Sequence, residues 1–137
     1  MAKIAFRLVM PERELVHTDA DMIIVPGVEG DFGVIHGHAP LISTVRPGVL
    51  EVIQGSKAER RFLVVGGFAE VTPQRCTVLA DEATPFEQVT AEQLAERERS
   101  AQREVMDAVG EAEKEAAQKQ LAVAKDLIRA HAYYAAR

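Results

Sequence analysis

His36 and His38 stand two residues apart, the spacing at which side chains of an extended segment point the same way and can share a metal ion. A zinc-type site needs a third ligand close by. His17 and His131 lie far off in the chain, and Cys76 falls within a run of strand character, so the pair reads as structural and no metal is expected. Ser43 with His38 and a carboxylate can be drawn as a nucleophilic triad, but no Gly-x-Ser-x-Gly turn surrounds the serine to expose it as a nucleophile. Gly27, Gly30, Gly33 and Gly37 crowd a short stretch, yet they neither follow dinucleotide spacing nor open a helix, and no Gly-x-x-x-x-Gly-Lys-Ser/Thr loop occurs. The chain is therefore expected to carry no catalytic residue and no cofactor. What four such glycines can do is allow positive φ or close backbone approach, shaping tight turns at one end of a sheet with Asp31, His36 and His38 beside them.

The elements that hold these residues change character at Pro85. All six prolines and eight of the nine glycines lie at or before that position. Upstream, short runs rich in Val, Ile, Leu and Phe are separated by turn formers: 4–10, 21–25, 41–45, 49–54, 61–65, 69–72 and 76–80. Ile4, Phe6 and Leu8 alternate with Ala5, Arg7 and Val9, as on a sheet with one face buried. Gln54-Gly55-Ser56-Lys57 reads as a hairpin connection. Residues 1–85 are thus expected to form an antiparallel β sandwich or flattened barrel, and residues 86–137 a separate helical unit.

In that second unit alanine dominates, with Glu, Gln, Arg and Lys between. Thr90 and Gln93 make a capping box that starts a helix. Leu94, Ala101, Val105 and Ala108 form its apolar stripe, and Gly110 is a fitting stop. Ala117, Leu121, Ala124, Ile128 and His131 form the stripe of a second helix, near a coiled-coil seam. Each helix should be about 20 residues, or about 30 Å long. An alanine seam buries little apolar area per turn, so the hairpin is marginal alone. Its plainer reading is a permanent brace, and its alternative an element that undocks.

Charge and composition narrow the partners. Sixteen Lys and Arg against 21 Asp and Glu leave a net charge of -5, which works against nucleic-acid binding. A lone cysteine precludes an internal disulfide, as in reduced compartments. No apolar run approaches the roughly 20 residues of a membrane-spanning helix, and the first residues lack the pattern of a secretory signal.

Four blocks in order, the segment 26–41 (PGVEGDFGVIHGHAPL), Arg46-Pro47-Gly48-Val49-Leu50, Gly66-Gly67-Phe68-Ala69-Glu70-Val71 and Thr77-Val78-Leu79-Ala80-Asp81, resemble the epsilon subunit family of F-type ATP synthases. The resemblance implies a sandwich of about ten strands followed by an antiparallel two-helix hairpin. It implies a non-catalytic central-stalk rotor subunit of a proton-translocating enzyme. Its partners would be the gamma subunit, the c ring and, through the hairpin, the catalytic alpha/beta head, with no nucleic acid involved. Its place would be peripheral, on the cytoplasmic side of the bacterial inner membrane.

By the same resemblance Asp31, His36 and His38 belong to a ring-contact loop. The competing reading of Asp31 is a residue that stabilises its own turn. Arg97, Arg99, Arg103, Leu121 and Ile128 belong to a regulatory hairpin that restrains ATP hydrolysis in many relatives. The competing reading of the arginines is a solvated face paired with Glu96, Glu98 and Glu104. Some relatives bind ATP through an Asp and an Arg near the start of the first helix. At the matching positions of this chain Thr90 replaces the Asp and Gln93 the Arg, so no nucleotide site is expected. The alternative to the rotor subunit is a freestanding adaptor that binds a small ligand or dimerises through its helices.

Overall fold

The alternation at the start of the chain buries one face. In the computed structural model, which describes residues 2–137, Ile4, Phe6 and Leu8 are fully buried on strand β1 (Ile4–Val9). Seven strands follow: β2 (Glu14–Ala20), β3 (Met22–Gly27), β4 (Gly30–Val34), β5 (Leu41–Thr44), β6 (Gly48–Gln54), β7 (Lys57–Val71) and β8 (Arg75–Pro85). They form one hydrogen-bonded sheet in the order β2-β1-β8-β7-β6-β3-β4, with β5 added on β7.

The number eight, against the expected ten or so, has a local cause. The first part of β7 pairs with β6 and its last residues pair with β5, while β8 pairs with β1 only over its first part. Both long strands therefore pass from one layer to the other at a bend, where the pairing is interrupted between the Val65–Glu82 and Gly67–Ala80 pairs while the register stays the same. Counted by halves, each layer has five strands. Only glycine fits this corner: Gly67 has φ 106, and a Cβ there would sit 1.9 Å from the Leu79 carbonyl oxygen. The core lies between the layers, with Ile23 and Val25 of β3, Leu50 and Val52 of β6, and Val78 of β8 packed against the β1 residues.

One pairing departs from the all-antiparallel expectation. β1 runs parallel to β8, from Ala5 opposite Arg75 to Val9 opposite Leu79. The two strands are joined by the whole intervening sandwich and not by a tight turn, so nothing local forces them antiparallel.

After Pro85 a 3-10 turn (Phe86–Gln88) leads into helix α1 (Ala91–Asp107) and then α2 (Glu111–Ala135). The capping box forms in both directions: Thr90 Oγ1 accepts from the Gln93 N–H at 3.1 Å, and Gln93 Oε1 accepts from the Thr90 N–H at 3.0 Å. Gly110 does not terminate α1, which ends three residues earlier. It caps the start of α2 at φ 84. With 17 and 25 residues the helices are unequal, and the longer α2 reaches the sandwich. There Leu94, Leu127 and Tyr134 form a second, smaller core with Val49 of β6 and Leu63 of β7.

Candidate functional site

The β3–β4 connection shows what the glycine block does. Val28 and Glu29 make a two-residue turn between paired Gly27 and Gly30. Gly30 needs its φ of 133, whereas Gly27 is required by space, because a Cβ would lie 2.9 Å from a Phe32 ring carbon. Asp31 follows on β4 and accepts from Arg46 Nη2 at 2.6 Å. The same guanidinium donates to the Gly27 carbonyl, also at 2.6 Å. Asp31 thus ties its own hairpin to the segment entering β6 while staying open to solvent. It faces a cavity of about 490 Å³ bounded on the far side by Asp126, Arg129 and Tyr133 of α2.

His36 and His38 do not join Asp31 in one loop. They follow the opposite end of β4, where the Gly37 N–H donates to the Pro73 carbonyl at 2.7 Å. His38 Nδ1 lies 2.6 Å from the Ala39 carbonyl, a local contact within the turn. Cys76 lies inside the core, and burial pushes its thiol up to about 12.

A second candidate surface needs the register to be seen. Val9 pairs with Leu79, and Leu79 pairs with Phe68, so the three share one face of their layer, and Ile42 stands on the adjoining strand. The residues alternating with them, Ala69, Val78 and Ala80, are in the core. This is therefore the outer face, where Ile42 is 70% exposed, Phe68 45% and Leu79 38%. Met10 and Pro11 extend the row into a cavity of about 340 Å³. Sequence alone placed Phe68 and Leu79 in two separate blocks, and only strand pairing makes them neighbours.

On the helices, Arg97 reaches back to the sandwich with two bonds to Glu82, at 3.1 and 2.9 Å. Arg99 pairs with Glu92 and Glu96, and Arg103 with Glu96. The expected pairing partners Glu98 and Glu104 take no part in these bridges. Leu121 is half-buried, and Ile128 packs at the margin of the second core. The two side chains of α2 that centre that core, Leu127 and Tyr134, were missed. A second stripe of α2, Val123, Leu127, Ala130 and Tyr134, also steps at helical spacing and signals a further buried face. The Tyr134 ring stacks on the Arg61 guanidinium, centroid at 5.6 Å, and Arg61 bonds the buried Glu51 at 2.8 Å. Burial, then the charges of Asp31 and Glu51, push the Tyr134 hydroxyl above its ordinary 10.0. His131 stacks on Phe86 at 5.0 Å, with Nε2 3.2 Å from the Val89 carbonyl. The Thr90 and Gln93 side chains both serve the helix cap, each accepting from the other residue's backbone N–H.

Comparison with known proteins bears on these surfaces. Residues 3–86 match the family described as ATP synthase, Delta/Epsilon chain, beta-sandwich domain. The chain is 48% identical over 125 residues to the ATP synthase epsilon chain of Rhodospirillum rubrum, covering 91% of this chain and 93% of that one. It is 45% identical over 128 residues to that of Paramagnetospirillum magneticum, covering 93% and 96%. Among solved structures it superposes on a chain of the Euglena gracilis mitochondrial ATP synthase OSCP/F1/c-ring assembly with a TM-score of 0.78 and 26% identity, over 95% of this chain and 82% of that chain. A chain of the Tetrahymena thermophila mitochondrial ATP synthase central stalk and c ring shares the fold, with a TM-score of 0.69 at 17% identity over 97% and 96%.

Proposed function

The chain belongs to the ATP synthase delta/epsilon chain family, and on that premise we propose that it works as the non-catalytic central-stalk subunit joining the gamma subunit to the c ring. The observation that carries the geometry of this reading is the apolar row of exposed Ile42, Phe68 and Leu79 with half-buried Val9 on the outer face of one layer. A row of this kind on a stiff sheet gains free energy by being covered, and gamma is the partner that covers it. A two-layer sandwich suits the task, since a close-packed core passes torque without deforming.

The ring contact falls to Asp31 and the β3–β4 turn. His36 and His38, at the other end of β4, form a separate contact, so substitutions at the two places should act independently. The sandwich of 1–85 is the docking unit and the hairpin of 86–137 the regulatory one. Released from Val49 and Leu63, the hairpin would present Arg97, Arg99 and Arg103 to the alpha/beta head and restrain hydrolysis. None of the described helices is long and apolar enough to cross a membrane. The subunit accordingly sits peripherally on its complex, and we place it on the cytoplasmic side of the bacterial inner membrane.

The test is a binding assay with recombinant gamma subunit. The native chain should bind, and Phe68→Glu should reduce binding at least about tenfold, because a charge would be desolvated in an apolar interface. A stable self-dimer indifferent to gamma would instead support a freestanding adaptor.

A further inference from the structure

The bend between α1 and α2 carries features that the fold itself does not use. Met106 and Val109 are 83% and 81% exposed, the two most exposed large apolar side chains among the described residues. They sit within a segment, 104–115, that holds five carboxylates (Glu104, Asp107, Glu111, Glu113 and Glu115) and one lysine. Four of the five net negative charges of the chain are thus concentrated there. The ion pairs made by the helical arginines engage Glu82, Glu92, Glu96 and Asp126, and none of these five. Only Glu113 has a local task, accepting from the Val109 N–H.

The space between the helices at this bend is also unfilled. A cavity of about 350 Å³ is lined by Ala108, Ala116 and Ala117 together with Glu104, Asp107 and Glu113. Alanine methyls beside carboxylates match the two parts of a Lys or Arg side chain, an alkyl stem and a cationic head. Exposed Met106 and Val109, which flank the lining residues Asp107 and Ala108 in the chain, add area for an apolar neighbour, and methionine adapts readily to irregular surfaces.

We propose that the hairpin bend is a docking point for a basic, partly apolar segment of another protein subunit, whose Lys or Arg enters the cavity while Met106 and Val109 cover its apolar flank. Charge selects this occupant: an anionic lipid surface or a nucleic acid would be repelled by the same carboxylates. The contact is separate from the apolar row on the sandwich, although testing it inside the motor rests on the reading given above.

The experiment places a photo-cross-linking residue at position 109 of the full chain assembled into the membrane enzyme. Co-purification with gamma reports assembly by itself, so loss of that signal would count against the proposed function and not against the bend. In assembled enzyme we expect an adduct to a protein segment with Lys or Arg immediately beside the attachment point. Its yield should fall about tenfold in the double variant Glu104→Gln/Asp107→Gln and fall again at high salt. Both residues are exposed and unpaired by any arginine, so the variant should fold, and an unchanged circular dichroism spectrum would verify this. An adduct only to lipid, an adduct to a segment without basic residues, a yield unchanged in the variant, or no adduct in assembled enzyme would overturn the proposal.

Discussion

At the scale of single residues the account turns on side chains and glycines held by one or two contacts each. Gly67 is the sharpest case, because its φ of 106 and the 1.9 Å approach of a would-be Cβ to the Leu79 carbonyl leave no room at the corner between layers. Gly67→Ala should cost about 3 kcal/mol or more, measured by urea denaturation. Cys76 should resist alkylation at neutral pH, since its thiol is both buried and pushed up to about 12. Modification should therefore follow the denaturant unfolding curve, and rapid labelling of the folded chain would contradict the structure. Asp21 illustrates pH dependence: the Gly55 N–H donated to it, and then Lys3, hold its carboxyl below the ordinary 3.8. The folded state then binds that proton less readily than the unfolded chain. The contribution is fully present above the ordinary value and is lost as pH falls through the lower, folded one. Asp21→Asn should accordingly flatten the acid side of the stability profile and leave neutral pH less stable than the native chain.

At the scale of elements, the legible parts of the chain were those with local causes. The capping box of Thr90 and Gln93 and the Gly55 hairpin depend on neighbours in sequence and were read directly. β2 and β4 were not, because Val16 and Ala20 are the only buried residues of β2, and the glycines of β4 conceal a strand as a loop. The parallel contact of β1 with β8 has no local signature at all. Likewise the α2 stripe through Ala117 and Ile128 was visible, but a helix that packs on two surfaces carries two stripes, and the one through Leu127 and Tyr134 went unread. That second stripe fixes the hairpin to the sandwich. Leu127 is fully buried, so Leu127→Ala should cost about 3 kcal/mol, with hydrogen exchange in α2 accelerating before that of β1 and β8. Arg97→Gln should matter far less, about 0.5 kcal/mol, since Glu82 and Arg97 are partly solvated.

At the scale of the molecule, the two cores differ in kind: one fills the space between the β layers, and the other is a small cluster shared by two strands and two helices. We propose that this difference lets the sandwich act as the fixed grip and the hairpin as the part that changes place. The candidate surfaces of the sandwich do not depend on unusual composition. The glycine block and Phe68 were evident as motifs, whereas the apolar row across β1, β8, β7 and β5 exists only once the strands are paired. The most direct test compares three proteins for binding to gamma and for co-sedimentation with the membrane enzyme: the native chain, a form ending at Pro85, and Phe68→Glu. The native and shortened chains should both dock, the shortened one with well-dispersed amide resonances, while the Phe68 variant folds but fails to dock. A shortened chain that is unfolded, or a Phe68 variant that docks as well as the native chain, would contradict the account.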